Sequence, residues 1–139
     1  MIYELSRFVT AQQDNYECAL SEIRNGRKVS HWIWYIFPQL KGLGRSPMSE
    51  YYGIQNLDEA KAYLANPILG KHLIEICNAL LLLDTNNAAE VMGMDSRKLR
   101  SSMTLFDAAT ESTDVFQLVL DKYYEGKKDY RTLRMLGIK

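Results

Sequence analysis

The sequence lacks the features of exported, disulfide-stabilised and membrane proteins. Its two cysteines, Cys18 and Cys77, are too few for a disulfide framework. Its longest apolar runs, residues 32–37 and 79–83, are far shorter than the roughly eighteen residues of a membrane-spanning helix. No basic stretch leads into an apolar one at residues 1–4, so we expect no export signal. These absences predict a cytoplasmic protein whose two thiols are free and buried.

A net charge and a histidine cluster are also missing. The 17 basic and 17 acidic side chains give a formal net charge of zero, which argues against a protein dedicated to duplex DNA. His31 and His72 form no His/Cys pair at ligand spacing, so no metal site is expected. The glycines match neither a Walker motif nor a dinucleotide fingerprint, and no cofactor is predicted. We therefore expect neither duplex DNA nor a membrane as a partner.

What the sequence does have is the composition of one globular domain. Its 139 residues are 47% hydrophobic and 24% charged, values that exclude disordered, collagen-like and coiled-coil classes. Few segments alternate with a period of two, whereas many repeat apolar residues every three or four positions. We therefore predict a single all-α domain over residues 1–139, with about six to eight helices and one irregular aromatic segment.

Helix boundaries follow from capping signals. Apolar residues at steps of three and four between Leu5 and Ile23 predict a long first helix, which Asn25-Gly26 would end. Asn66-Pro67 ends one helix and opens the next, which we expect to be the central, most buried helix, through about Leu83. The other predicted helices run from Ser46 to Gly53, from the capping box Asn56/Glu59 to about Ala65, from Asn87 to Gly93, from Asp95 to about Ala109, from Thr113 to Gly126, and from Asp129 onward.

Residues 27–46 depart from the helical pattern. Val29 to Leu40 is aromatic and β-branched, is broken by Pro38 and leads into a glycine-containing loop at 41–46. A short strand and a buried turn of helix fit this segment equally well.

Residues 24–46 also concentrate possible ligand-binding chemistry. They hold four aromatic rings and five cations with no acid. Ring faces beside cations and glycine-exposed N–H groups suit a ligand with a flat base and an anionic group. The alternative is structural: Trp32, Trp34 and Phe37 would lie in the core, and the cations would complement the end of the first helix.

A second basic segment covers residues 95–106. On a helix, Arg97, Ser101 and Thr104 share one side, and Arg100 lies four residues before Thr104. Three cations so early in a helix oppose its dipole, and with the hydroxyl groups they form a plausible anion site. In the alternative, the hydroxyl residues are small side chains that allow close helix packing while the cations are solvated.

Acid–base candidates are few. Glu50 follows the basic loop and Asp95 precedes the basic helix, so either carboxylate could act as a base or stabilise positive charge. His31 is the remaining catalytic candidate. Each has an ordinary structural alternative: Glu50 as an exposed helix residue, Asp95 as an N-cap, and His31 as a hydrogen-bonded structural residue.

Short motifs spread along the chain match a known family. They are Arg7-Phe8, Ala11-Gln12, Gly26-Arg27-Lys28, Ser30-His31-Trp32, residues 36–40, Gly42-Leu43-Gly44, Tyr52-Gly53-Ile54, Ala62-Tyr63-Leu64 and residues 98–106. On these motifs the sequence resembles the bacterial family of unknown function numbered 1810, and the segments around His31 and Arg100 make the match specific. The resemblance covers nearly the whole chain and implies a single, mainly helical domain without an established activity. The family has an aspartate before the first helix, where this sequence has Tyr3-Glu4.

A weaker resemblance links residues 49–52 to the helical family associated with NAD and ADP-ribose, which includes an N-glycosidase of riboflavin intermediates. Ser49-Glu50-Tyr51-Tyr52 is similar to that family's Glu-His-Tyr-Tyr segment, without the histidine. The resemblance implies that Glu50 would face an oxocarbenium-like sugar carbon while Trp34 stacks on the base.

The leading hypothesis is a helical domain with one pocket for a small anionic or nucleotide-like ligand. An alternative is a protein-interaction module that presents the aromatic segment to a partner protein. An N-glycosidase-like or ADP-ribose-related enzyme is the third candidate, and the sequence does not decide whether the protein is an enzyme. The predicted ligand-binding residues are Trp34, Gln39, Arg45, Ser46, Tyr51, Lys98, Arg100, Ser101 and Thr104.

Overall fold

Nine α-helices make up most of residues 3–138, which are the residues that the computed structural model describes. Six of them have at least seven residues and three are single turns, so the all-α prediction is confirmed. The helices are α1 (Ser6–Arg24), α2 (Ile33–Ile36), α3 (Pro47–Tyr51), α4 (Leu57–Ala65), α5 (Pro67–Leu82), α6 (Ala88–Met92), α7 (Ser96–Ala109), α8 (Val115–Tyr124) and α9 (Tyr130–Leu136), with a 3₁₀ turn at Gly93–Asp95.

Side-chain caps start most of these helices where the sequence predicts them. Each predicted cap below accepts a hydrogen bond from a first-turn N–H, which satisfies a donor that the helix itself leaves free. The caps seen are Ser46 for α3, Asn56 for α4, Asn66 for α5, Asn87 for α6 and Asp129 for α9.

Three details of the predicted caps differ. Asp95 does not cap α7, because the 3₁₀ turn runs directly into that helix and the Ser96 N–H already bonds to a carbonyl of the turn. The hydroxyl of Thr113 accepts from the N–H of Val115, but α8 begins one residue later than predicted. In the capping box of α4, the Glu59 carboxylate accepts from the N–H of Gln55 at 2.7 Å instead of from Asn56.

The most buried helix is α7, not α5 as predicted. All six residues from Ser101 to Phe106 are buried, so α7 is covered on almost every side. It packs against α4, α6, α8 and α9, and its small Ser and Ala side chains allow those helices to approach closely. By contrast, α5 leaves Ile74 and Leu82 exposed on an outer face.

The irregular aromatic segment forms the buried turn of helix, and an isolated bridge takes the place of the alternative strand. Ile33–Ile36 forms one buried helical turn, and Leu40 then pairs as an isolated parallel bridge with Ile54. Two hydrogen bonds make this bridge: Lys41 N–H to Ile54 O at 2.8 Å, and Ile54 N–H to Gln39 O at 2.9 Å. Gly53 is required there, because a Cβ at that position would lie 2.6 Å from Lys41 Cα.

A single carboxylate fastens the start of this segment to α1. Glu22 accepts hydrogen bonds from the N–H of Val29 at 2.7 Å, the N–H and hydroxyl of Ser30 at 2.9 and 2.6 Å, and the indole N–H of Trp32 at 2.9 Å. Burial by itself would raise the pKa of this carboxyl, but the hydrogen bonds from Ser30, Val29 and Trp32 outweigh it and lower the pKa to about 2. The segment is therefore held by donors that favour the ionised form.

A buried ion pair holds the next part of the chain. The Arg7 guanidinium lies 3.1 Å from the Glu59 carboxylate; the arginine side chain is 8% exposed and the glutamate is fully buried. Arg7 also donates to the carbonyls of Tyr51 and Gly53, at 2.9 and 3.1 Å. It therefore joins α1, the end of α3 and the start of α4.

Two further expectations concern the cysteines and the membrane. Cys77 is buried and free, as expected, whereas Cys18 is exposed, because it lies beside the apolar stripe of α1 and contacts Glu22 and Ser30 at the surface. Among residues 3–138, no helix combines the length and the apolar character that crossing a bilayer requires.

The Glu22 contacts predict an acid-sensitive part of the stability. Because the folded-state pKa is lowered from its ordinary value of 4.5 to about 2, the stabilisation is present above pH 4.5 and is lost as the pH falls toward 2. Glu22→Gln should therefore unfold at a lower temperature than the wild type at pH 7, and the gap should narrow below pH 4.5. Thermal melts between pH 2 and 7 measure this gap. Glu111→Gln, at an exposed position, should follow the wild-type curve; a gap independent of pH would contradict the assignment.

The Arg7–Glu59 pair predicts a large asymmetry between two glutamates. Glu59→Gln leaves the buried guanidinium without its counter-charge and should cost about 3 kcal/mol of unfolding free energy. Glu50→Gln is the matched control, because the Glu50 side chain is 52% exposed and its carboxylate lies as far as 4.0 Å from the Lys41 ammonium. This substitution should cost less than about 0.5 kcal/mol of unfolding free energy. Urea unfolding at pH 7 compares the two variants, and equal losses would disprove the asymmetry.

Candidate functional site

A cavity of about 260 Å³ opens between the 39–44 segment and the first turns of α7 and α9. It joins three parts of the chain that are far apart in sequence. The lining residues are Gln39, Leu43, Gly44, Arg97, Lys98, Ser101, Asp129 and Arg131.

The wall formed by residues 39–44 is fixed at both of its ends. The bridge between Leu40 and Ile54 holds its start. At its other end Gly44 passes so close to α3 that a Cβ there would lie 2.4 Å from the Ser49 hydroxyl oxygen. Only glycine fits at this approach, and the backbone of Gly44 thereby faces the cavity.

The α7 wall is fixed through Asp95. Its carboxylate lies 2.9 Å from the Lys28 ammonium and 3.4 Å from that of Lys98. Lys98 is therefore held at the cavity by Asp95, which also binds Lys28, the residue just before the segment that Glu22 holds. Ser101, one turn further along α7, donates its hydroxyl to Arg97 O at 3.1 Å, which leaves its oxygen free to accept.

The third wall is the start of α9, and α7 holds it in position. Arg100 donates to the carbonyls of Lys127 and Lys128, at 2.8 and 3.0 Å, with its guanidinium over the ring of Tyr124. The Thr104 hydroxyl accepts from the Asp129 N–H at 2.8 Å. These bonds fix the start of α9, so that Arg131, two residues after Asp129, lies at the rim of the cavity.

The lining carries an excess of positive charge. Three cations, Arg97, Lys98 and Arg131, face one carboxylate, Asp129, whose Oδ2 already accepts from the Thr132 N–H at 2.9 Å. Within residues 3–138, neither arginine has a carboxylate within 4.0 Å. Both arginines lie in the first turn of their helices, where the dipole disfavours a cation.

One neutral group of the lining is also uncommitted. The side-chain amide of Gln39 makes no hydrogen bond with any other group in the described part of the chain, although the residue is half-buried. An amide in this position can donate to or accept from a ligand without breaking an internal contact.

A small hollow adjoins the cavity on the aromatic side. Trp34, Tyr52, Gln39 and Lys98 are among its lining residues, and the last two also line the cavity. Its volume is about 10 Å³, enough for about one water molecule and too little for a nucleobase.

The structure brings together some of the predicted ligand residues. Gln39, Lys98 and Ser101 line the cavity, and Trp34 lines the hollow beside it. The two basic segments, whose proximity the sequence does not reveal, therefore meet.

Five predicted ligand residues lie elsewhere. Arg100 and Thr104 bind the 127–129 turn, and Ser46 caps α3 and donates to Ser49. Tyr51 is 61% exposed and lines a separate surface depression with Arg7. Arg45 is exposed and lines neither the cavity nor the hollow.

The three catalytic candidates are not gathered at one site. Glu50 is exposed and lines neither the cavity nor the hollow, so it does not share a site with Trp34. His31 is exposed and forms no hydrogen bond within residues 3–138, so the structural role expected for it is not seen. Asp95 holds Lys28 and Lys98 and thereby orients a lining residue.

The predicted set of ligand-binding residues omits Arg97 and Arg131. The sequence places Arg97 on the possible anion face of the second basic segment, against the dipole, but the predicted set does not include it. Arg131 has the same position in the helix that Asp129 caps, but nothing local shows that the Arg100 and Thr104 contacts bring the start of α9 to the cavity.

A metal centre finds no support in this geometry. Among the described residues, no three His, Cys, Asp or Glu side chains lie close enough together to hold a metal ion. In the aromatic segment, Trp32, Tyr35 and Phe37 are buried, so these three rings are not presented to a partner; Trp34 is half-buried.

Comparison with known proteins assigns the fold to a family. The family model for proteins of unknown function designated DUF1810 matches residues 2–136. The chain belongs to this family. This chain is similar to a solved structure, the crystal structure of the conserved hypothetical protein Rv1873 from Mycobacterium tuberculosis at 1.38 Å. The two chains share 43% sequence identity, the TM-score is 0.95, and the match covers 99% of each chain. No curated protein matches this chain significantly.

Proposed function

We propose that this DUF1810 protein binds a small phosphorylated ligand in the cavity between the 39–44 segment and the starts of α7 and α9. Arg97, Lys98 and Arg131 would contact the phosphate oxygens. Gln39 and the backbone at Gly44 would contact the remainder of the ligand. Arginine forks suit this role, because two parallel N–H bonds match two oxygens of a phosphate.

The convergence of Arg97 and Arg131 is the observation that carries the proposal. These two side chains come from different helices, line one cavity and have no acid partner among residues 3–138. Each lies where its own helix dipole opposes it, so an anion in the cavity would relieve two unfavourable placements at once. Two arginines that serve only as solvated surface residues would have no reason to line the same cavity.

The dimensions favour a compact ligand. A cavity of about 260 Å³ is smaller than the usual range of about 300–1,000 Å³ for sites that enclose drug-sized molecules. The hollow beside Trp34 is too small for a base, so a sugar phosphate or free oxyanion fits better than a nucleotide with a buried base. We propose a cytoplasmic location as well, which two free cysteines support.

Titration with inorganic phosphate, pyrophosphate and ribose 5-phosphate tests the proposal. We expect at least one of these to bind with a dissociation constant of about 1 mM or lower at low salt. Amide shifts in ¹⁵N-labelled protein should centre on Gly44, Ser101 and Arg131. Arg97→Ala and Arg131→Ala should each weaken binding by about 10- to 150-fold, because each removes a charge-assisted hydrogen bond of about 1.5–3 kcal/mol.

Arg27→Ala is the control, because it removes an exposed cation that does not line the cavity. It should leave the affinity for pyrophosphate within about twofold, since distant surface charges are screened. Equal weakening by Arg27→Ala and Arg97→Ala would mean that the affinity depends on the net charge of the protein and not on the cavity. No shift with any of the three anions would reject the proposed function.

A further inference from the structure

A second, open depression lies along the outer face of α5 and the end of α1. Its volume is about 490 Å³, and we call it the α1/α5 groove. Its lining residues include Arg24 from α1 and Lys71, Ile74, Asn78, Ala79 and Leu82 from α5. None of them lines the anion cavity.

Helices α1 and α5 pack closely beside the groove. The ring of Tyr16 stacks on that of His72 with centroids 3.7 Å apart and an angle of 5° between the planes. The Tyr16 hydroxyl donates at 2.6 Å to the carboxylate of Glu75, which is the one acid among the groove's lining residues beside the two cations Arg24 and Lys71. Gln12 adds a contact between its side-chain oxygen and His72 Nδ1, at 2.7 Å. These contacts hold α1 and α5 side by side.

An exposed stripe of two apolar side chains, with Asn78 between them, runs along the groove. Leu82 is 85% exposed at the end of α5, and Ile74 is 36% exposed two turns earlier. Residues 74, 78 and 82 are four apart and therefore share one face of the helix. Ala79 is buried at the base. A leucine so exposed adds nothing to the core of the free protein.

Two cations flank this stripe without an acid partner. Neither Arg24 nor Lys71 has a carboxylate within 4.0 Å in the part of the chain that the structure describes. Arg24 complements the dipole at the last turn of α1. Lys71 has no comparable role, because it lies in the N-terminal third of α5, where the dipole does not favour a cation.

We propose that the α1/α5 groove binds an amphipathic, acidic helix of a partner protein. The partner helix would lay leucine-like side chains on Ile74 and Leu82 and direct Glu or Asp toward Arg24 and Lys71. In recognition of this kind, a groove binds apolar side chains that recur every three or four residues along one face of the partner helix. From Lys71 to Leu82 the groove spans about 16 Å, which is about three turns of a bound helix. Because the groove is open along one side, it suits a helix better than an enclosed small molecule.

Two synthetic peptides test this proposal on the intact protein. Both are helix-forming, about fifteen residues long, with leucine at positions i, i+4 and i+7, and differ only in carrying Glu or Lys beside the leucines. We expect the Glu peptide to shift the amides around Ile74, Ala79 and Leu82, with an affinity that falls as salt is added. The Lys peptide should bind at least about tenfold more weakly.

Variants of the protein distinguish binding at the groove from nonspecific binding of the peptide. Leu82→Glu should abolish binding of the Glu peptide, and its exposed position means that the fold is retained. Leu118→Glu is the matched control, because Leu118 is a leucine on α8 that is 42% exposed and outside the groove; it should bind as the wild type does. Lys71→Glu should weaken the Glu peptide and strengthen the Lys peptide.

Four outcomes would overturn the proposal. They are no binding of the Glu peptide at about 1 mM, equal binding of both peptides, equal effects of Leu82→Glu and Leu118→Glu, and self-association of the free protein that Leu82→Glu abolishes. The last result would assign the groove to a second copy of this chain. Phosphate titration is unaffected by any of these outcomes, because the two sites share no residue.

Discussion

The carboxylate of Glu22 is the contact on which the position of the cavity walls depends. Its four hydrogen bonds convert residues 29–32, which have neither helical nor strand pairing, into a fixed connection between α1 and the aromatic turn. Lys28, just before them, reaches Asp95 at 2.9 Å, and Asp95 in turn orients Lys98. The aromatic turn leads on to Gln39. Two of the three walls of the cavity, the 39–44 segment and the start of α7, are therefore connected to one carboxylate on α1.

The neutral net charge of the chain conceals an uneven distribution. Residues 24–49 carry five cations and no acid, yet the fold uses that excess selectively: Lys28 is neutralised by Asp95, whereas Arg45 is solvated. The uncompensated charge at the cavity comes mainly from α7 and α9. A low net charge and a local anion site are compatible, because the cations that matter are few and converge only after folding.

Local signals in the sequence were sufficient for the helices and insufficient for the site. Caps such as Asn56 and Asp129 act within one turn, so a single sequence shows them. Burial depends on distant partners. The small side chains of α7 permitted either a ligand face or close packing, and the structure uses Thr104 for packing against the start of α9. For the same reason the sequence does not reveal that Arg131 lies beside α7. Apolar content alone favoured α5 over α7 as the central helix.

The most direct test of the anion site is the anomalous diffraction of a crystal soaked briefly in tungstate, a heavy analogue of phosphate. One strong peak is expected inside the cavity, within hydrogen-bonding distance of the guanidinium groups of Arg97 and Arg131, and it should be lost in the double variant Arg97→Ala/Arg131→Ala. An empty cavity with a peak elsewhere on the protein, or a peak that survives in the double variant, would contradict anion binding by these two arginines.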